Sequence, residues 1–218
     1  MDMIQSDDAK FLEHVDNKSK KSNESSGSTD VSLDLAWDDP WRLSWVQKLA
    51  LKDETLYFLN EIAKKELKYP VMAVSWIDES SQRFQYKGQT VSLPRHKSLC
   101  GYVVASKEPL IVLDTLEDDR FKNHPLVTGK GNSPFDGPIR FLASAPICHD
   151  GYVLGTMFAA DYAPHHPSPE DMKFLTSHMH ALASTAVIIV EGSFADFKED
   201  EPEVKPKSFW QWIACGCW

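Results

Sequence analysis

One stretch of this sequence, residues 137–161, constrains the fold more than any other. Two apolar runs rich in strand-favouring residues flank a short polar break that ends in Asp150-Gly151. An Asp-Gly pair between such runs is a strong signal for a β-hairpin, because both residues tolerate the positive φ angles of a tight turn. We therefore predict a hairpin at the centre of a small α+β sensor-type domain.

Small residues recur in both predicted strands of this hairpin and leave space beside the sheet. They are Ala143, Ser144, Ala145, Gly155, Ala159 and Ala160. Short side chains allow another element or a ligand to approach the backbone closely. A helix packed against the hairpin is the commoner outcome, but these residues alone leave a ligand open as the alternative.

Composition excludes several classes of protein. The formal net charge of −9 over 218 residues argues against nucleic acid as the main partner, because binding phosphates requires a basic surface. No apolar run approaches the roughly 18 residues of a membrane span. The four cysteines form no recognisable disulfide framework, which favours a reducing, cytoplasmic compartment.

The chain divides into a central domain with extensions. Residues 1–36 are predicted to be a disordered polar leader, because a sequence this polar cannot bury enough apolar surface to fold alone. Residues 37–52 form a lead-in with tryptophans at positions 37, 41 and 45, a spacing that suits a latch packed on the domain. The domain itself is predicted over residues 53–192. Residues 193–218 form an acidic linker and an aromatic, cysteine-bearing tail, and docking on the domain, weak membrane contact through residues 209–218 and acylation all stay open for that tail.

Local signals place the helices and strands of the domain. Asp53 is a plausible N-cap for a helix over residues 54–67, and Ser168 with Pro169 marks the start of a long helix that runs to about residue 191. Strands are predicted over residues 71–77, 83–87 and 110–114, with a short helix over 98–105. Residues 115–137 make a long polar connection, which is typical of a binding loop or a mobile lid.

Several segments, taken in order, resemble the GAF domains of bacterial and fungal signalling proteins. These are Pro70–Asp78, Pro94–Gly101, Leu110–Gly129 and the hairpin Ile139–Asp161, and the resemblance covers roughly residues 53–191. It implies a single α+β domain with a mostly antiparallel central sheet and helices on both faces. Residues 130–137 form a longer insertion than the family carries before its hairpin.

The resemblance also implies a role. GAF domains of this type act as non-catalytic sensory or interaction modules in signal transduction, often as homodimers. We therefore expect a small-molecule ligand of unidentified chemistry, a homodimer formed through the 168–191 helix, and a histidine kinase or another phosphorelay-associated protein as partner. The apolar stripe of that helix, with steps of three and four residues, suits either packing on the sheet or pairing with a second copy.

Seven residues are candidates for the ligand site, each with a structural alternative. Arg120 and Arg140 flank the long loop and suit the clamping of an anionic ligand, or else pair with the nearby aspartates Asp114, Asp118 and Asp119. The apolar candidates are Trp76, Phe121, Phe141 and Phe158, which as often belong to an ordinary core. Cys100 is the seventh.

Cys100 carries the alternative function. It lies near the start of a predicted short helix, which is expected to lower the pKa of a thiol. The resemblance extends to the GAF branch that reduces free methionine sulfoxide, a thiol-dependent reaction that needs a second, resolving thiol. No cysteine lies between Cys100 and Cys148, so a binding module is the leading hypothesis and a reductase the alternative. The histidines indicate no metal site, since His178 and His180 are two apart on a predicted helix and point to different sides.

Overall fold

The computed structural model describes residues 39–49 and 53–194. The helices are α1 (Pro40–Leu49), α2 (Asp53–Leu67), α3 (Gly101–Ser106), α4 (Pro125–Thr128) and α5 (Pro169–Phe194). The strands are β1 (Val71–Ile77), β2 (Ser81–Tyr86), β3 (Gln89–Pro94), β4 (Leu110–Val112), β5 (Phe141–His149) and β6 (Tyr152–Asp161), and a 3₁₀ turn spans Arg95–Lys97. The predicted leader, Trp37 and most of the predicted tail lie outside the described residues.

The six strands form one sheet in the order β3-β2-β1-β6-β5-β4, and every pairing is antiparallel. The predicted hairpin is confirmed: Asp150 and Gly151 have φ angles of 48° and 80°, as a tight two-residue turn requires. Strand β5 extends into the predicted polar break of residues 148–151, because Cys148 and His149 pair with β6. The predicted α+β class with a mostly antiparallel sheet is likewise confirmed.

Strand β3 lies at the edge of the sheet and was not predicted. A second tight turn, Lys87-Gly88 with φ angles of 51° and 73°, folds it back onto β2. Most of its side chains are exposed, so it lacks the apolar alternation by which a strand is recognised. Pro94, which has no backbone N–H to donate, ends it.

Helices α1, α2 and α5 pack on one side of the sheet, here called the helix face. The stripe on α5 that suited either packing or pairing is used for packing: Leu175, Met179, Leu182 and Ala186 are buried in the core of this face. The predicted cap at the start of α5 is present, since the amide of Asp171 donates to the Ser168 Oγ at 3.1 Å and that hydroxyl donates to the Asp171 carboxylate at 2.8 Å.

Helix α1 is fastened to the sheet by a buried arginine. The side chain of Arg42 is 1% exposed, and its Nε donates to the carbonyl of Val153 at 2.6 Å. Its Nη2 donates to the carbonyl of Ile77. The Trp45 ring packs edge-on against Trp41 and His149, with centroid distances of 5.8 and 4.6 Å. The tryptophan-bearing lead-in therefore packs on the domain through α1.

The pairing of β1 with β6 depends on one glycine. Gly155 lies opposite Trp76, and a Cβ at position 155 would lie 1.9 Å from the carbonyl oxygen of Ser75. That oxygen belongs to the backbone of the central strand and cannot retreat without separating the two strands. We predict that Gly155→Ala prevents folding or lowers the free energy of unfolding by more than about 3 kcal/mol, measured by urea denaturation.

A glycine in open space provides the matched control. A Cβ at Gly192 in α5 would meet no atom within 4 Å. Gly192→Ala should leave the stability unchanged or raise it by up to about 1 kcal/mol, because alanine favours a helix. Equal stability of Gly155→Ala and the wild type would show that the two strands do not approach this closely.

Candidate functional site

The other side of the sheet, here called the loop face, is covered by α3 and by residues 113–140. Between cover and sheet lies a partly open cavity of about 20 Å³, which is room for roughly one water molecule. Its lining is almost entirely apolar: Gln82, Phe84, Leu93, Leu99, Cys100, Leu126, Phe135, Ile139, Leu142, Phe158 and Ala160. Side chains therefore fill most of the space beside the sheet on this face.

A chain of buried polar side chains crosses the sheet beside this cavity. The hydroxyls of Ser75 in β1 and Thr156 in β6 are 2.9 Å apart, and the Gln82 amide nitrogen donates to Ser75 at 2.9 Å. The hydroxyl of Ser98, just before α3, donates to the Gln82 carbonyl oxygen at 2.6 Å. Sequence reasoning missed this chain, although Ser75 and Thr156 each interrupt an otherwise apolar strand. Mutual hydrogen bonding is what makes such burial tolerable.

Cys100 lies against this polar chain, with Thr156 and Gln82 among its hydrogen-bond partners, and its thiol is not activated. It is 2% exposed, and burial raises the pKa of the thiol; side-chain hydrogen bonding, led by Thr156, offsets only part of that effect. The expectation of a lowered thiol pKa is therefore wrong. Helix α3 has six residues, and its start does not outweigh the loss of solvent around the sulfur.

Both candidate arginines are engaged by carboxylates. Arg140 forms a two-pronged contact with Asp114, at 3.0 Å from Nε and 2.6 Å from Nη2, and this hydrogen bonding lowers the pKa of the Asp114 carboxyl. Arg120 contacts Asp118 in the same way, at 2.9 and 2.6 Å, and its guanidinium lies 5.1 Å from the centre of the Phe121 ring. The structural alternative for both arginines is thus the one observed, and it fixes the course of the long loop.

The four apolar candidates lie on opposite sides of the sheet. Phe121 and Phe158 are buried on the loop face, whereas Trp76 and Phe141 belong to the core of the helix face. Of the seven candidates, only Cys100 and Phe158 line the cavity. The structure therefore does not bring the seven residues together into one site.

The 130–137 segment lies at the outer end of the cavity, which Phe135 lines. The sequence placed this segment in a predicted binding loop or lid but did not single out its residues. The ring of Phe135 stacks on Phe84 with a centroid distance of 5.8 Å and meets Tyr86 edge-on at 5.5 Å. The next residue, Asp136, receives hydrogen bonds from Lys87 Nζ at 2.7 and 2.6 Å. These contacts join residues about 50 positions apart, and the one local signal was an aromatic residue inside a polar loop.

The comparison with protein families identifies the fold. A model of the GAF domain matches residues 46–187, well over half of the chain. The chain belongs to the GAF family. GAF domains are sensory or interaction modules of signalling proteins.

Individual relatives of this GAF domain are distant. A cyclic di-GMP phosphodiesterase of Pseudomonas aeruginosa is 28% identical over 166 residues, which cover 69% of this chain and 27% of that protein. The chain thus spans about a quarter of that relative's length. The GAF domain of a phosphoenolpyruvate-protein phosphotransferase from Acinetobacter is 17% identical with a TM-score of 0.49, covering 71% of this chain and 92% of that one. A type II free methionine-R-sulfoxide reductase from Thermoplasma acidophilum is 13% identical with a TM-score of 0.43, covering 68% and 95%.

The described part of the GAF domain contains neither a candidate metal cluster nor a candidate membrane span. No group of three or more histidine, cysteine, aspartate or glutamate side chains there is placed to hold a metal ion. None of the helices in these residues is long and apolar enough to cross a membrane.

The Asp114–Arg140 contact gives a pH-dependent prediction. Because the arginine favours the charged carboxylate, the pKa of Asp114 lies below its ordinary value in the folded domain. Its stabilising contribution is therefore present above the ordinary carboxyl pKa and is lost as the pH falls through the lowered value. We expect Arg140→Gln to return the midpoint of Asp114 towards the ordinary range in a carboxyl-detected NMR titration. An unmoved midpoint would show that the ion pair does not form in solution.

Proposed function

We propose that this GAF domain is a non-catalytic sensory or interaction module, which receives a small ligand or a signalling partner on its loop face. The proposal rests on one observation: the cavity and the helices α1 and α5 lie on opposite faces of the same sheet. Strands β5 and β6 line the cavity on one face and bear the helices α1 and α5 on the other. A change on the loop face is therefore transmitted to both ends of the domain through strands they share.

Ligand entry requires movement of the cover. The present cavity has room for only about one water-sized molecule, so any larger ligand must displace part of the 113–140 segment. Connections of this length are commonly binding loops or lids. Among the predicted site residues, Cys100 and Phe158 are the ones we propose to face the ligand, because they already line the cavity.

The state of Cys100 supports a role in binding rather than catalysis. A nucleophilic cysteine has an accessible thiol with a lowered pKa, and here burial raises it. The phosphodiesterase activity named for the Pseudomonas relative belongs to a protein of which this chain spans 27%. We therefore propose that effector activity lies with a partner, a histidine kinase or another signalling protein.

Native mass spectrometry of the protein purified from its source tests the proposal. We expect a non-covalently retained small molecule that is lost on denaturation. Ala160→Val, which adds two methyl groups to the cavity wall, should abolish retention while the circular dichroism spectrum stays unchanged. The same substitution at the exposed Ala181 of α5 should leave retention intact.

Two outcomes would count against the module. One is the absence of any retained molecule together with the absence of a co-purifying signalling protein. The other is reduction of free methionine sulfoxide in the presence of a thiol reductant, with turnover lost in Cys100→Ser. That second result would establish the reductase alternative.

We further propose that the domain dimerises through the outer surface of α2 and α5. The apolar stripe of α5 is occupied by the sheet, so the predicted dimer must use other residues of the helix. Large apolar side chains lie exposed on these two adjacent helices, among them Phe58, Ile62, Phe174 and Ile188. Exposed apolar side chains on neighbouring helices are typical of an interface between protein chains.

This surface gives a prediction that separates dimerisation from folding. Phe58→Glu combined with Ile188→Glu should halve the sedimentation mass and leave the thermal midpoint nearly unchanged, because both side chains are more than two-thirds exposed. Leu182→Ser should instead lower the free energy of unfolding by about 2–5 kcal/mol, since Leu182 is a core residue. An unchanged mass in the double variant would exclude this dimer.

Cytoplasmic localisation stays a prediction, and the tail proposed for weak membrane contact lies outside the described residues.

A further inference from the structure

We propose that the loop face contains a binding site for a small aromatic acid, which Phe135 and Asp136 of the domain's own loop occupy in its absence. The inference rests on the proposed sensory function and names the chemical class of its ligand. The inference follows from two adjacent loop residues. Phe135 places its ring among aromatic side chains of the sheet, and Asp136 places its carboxylate on Lys87 and Tyr86.

The place of the ring is defined by aromatic side chains. The Phe135 ring lies nearly parallel to Phe84, at an interplanar angle of 13°, and edge-on to Tyr86 at 72°. Phe158 completes the wall, meeting Phe84 edge-on at a centroid distance of 5.3 Å. Offset stacking and edge-to-face contact are the two arrangements that aromatic rings favour, so a planar ring suits this position and a branched aliphatic group does not. Phe135 is only partly buried there, so its removal opens the cavity to solvent.

The place of the carboxylate is defined by one cation and a phenol. Both oxygens of Asp136 accept hydrogen bonds from Lys87 Nζ, and Tyr86 donates to the same carboxylate at 3.2 Å. The Tyr86 and Tyr162 hydroxyls are 3.0 Å apart, and burial together with this contact raises the pKa of Tyr86, which keeps it protonated as a donor. A ligand carboxylate that replaced Asp136 would meet the same donors.

The built-in occupant is held weakly enough to be displaced. The side chains of Lys87 and Asp136 are 61% and 57% exposed, and ion pairs this exposed add little stability. Gly129 and Gly131 have φ angles of 69° and 107°, which places conformationally free residues at the start of the segment. When the loop leaves, the ring of a free aromatic acid can replace Phe135 against the aromatic wall. Its carboxylate can replace Asp136 as the acceptor for Lys87 and Tyr86. Competition between loop and ligand then sets the measured affinity.

Isothermal titration calorimetry with indole-3-acetate tests this site, and indole serves as the ring without the acid. The double variant Phe135→Ala/Asp136→Asn removes the competing ring and charge, so it should bind indole-3-acetate at least about tenfold more tightly than the wild type. Adding Lys87→Met should weaken indole-3-acetate binding about fivefold or more and leave indole binding unchanged, because indole carries no charge for the lysine to meet.

Single variants keep the test decisive if the double variant fails to fold. Asp136 is exposed, so Asp136→Asn should fold normally and by itself tighten indole-3-acetate binding. His180→Ala, which removes an exposed ring from α5 on the helix face, should change neither affinity.

Three results would overturn the inference. The first is an indole-3-acetate affinity that is unchanged in both Phe135→Ala/Asp136→Asn and Asp136→Asn. The second is an equal gain in affinity for indole and indole-3-acetate in these variants. The third is an indole-3-acetate affinity that does not fall when Lys87→Met is added. Retention of a non-aromatic molecule by the purified protein, combined with any of these results, would remove the aromatic-acid site and leave the sensory function standing.

Discussion

The pairing of β1 with β6 is the constraint on which the rest of the domain depends. These two strands are the junction between the early half of the sheet, β1 to β3, and the late half, β4 to β6. Their register runs from Val71 opposite Ala160 to Trp76 opposite Gly155, and at its end the backbone leaves no room for a Cβ. A slip of one residue would turn every buried side chain of β1 to the other face, so both cores rely on this register.

The two cores differ in what they demand of the sequence. On the helix face, apolar side chains of α2 and α5 meet apolar strand residues, and the buried polar side chains Arg42 and Asn60 bond to strand backbone. On the loop face, Ser75, Gln82 and Thr156 must also satisfy one another away from water. A hydrophobic replacement of one member would leave the others buried without partners, which costs more than a lost contact. The polar chain therefore specifies the alignment of β1, β2 and β6 more strictly than apolar packing can.

How much could be predicted from the sequence depended on how local the deciding interaction was. The Asp150-Gly151 turn and the Ser168 cap are set by residues within a few positions of one another, and both were predicted. Edge strand β3 was missed because an exposed strand needs no apolar alternation. The same spacing on α5 suits packing on a sheet and pairing with a second helix, so the pattern could not distinguish the two. The burial of Cys100 and the insertion of Phe135 depend on partners far away in the chain, which no local pattern contains.

The routes from the loop face to the ends of the domain are short. The polar chain holds Ser75 of β1 and Thr156 of β6, and Arg42 of α1 binds the backbone carbonyls of Ile77 and Val153 on the same two strands. Helix α1 is thus attached two and three residues from the groups that border the cavity. A shift of the cover that altered the spacing of β1 and β6 would change the distance between two carbonyls held by one guanidinium. Because a buried guanidinium has no water to replace a lost acceptor, α1 must follow the strands or leave the domain. Helix α1 would for this reason follow a change in the spacing of β1 and β6, the two strands that hold Ser75 and Thr156.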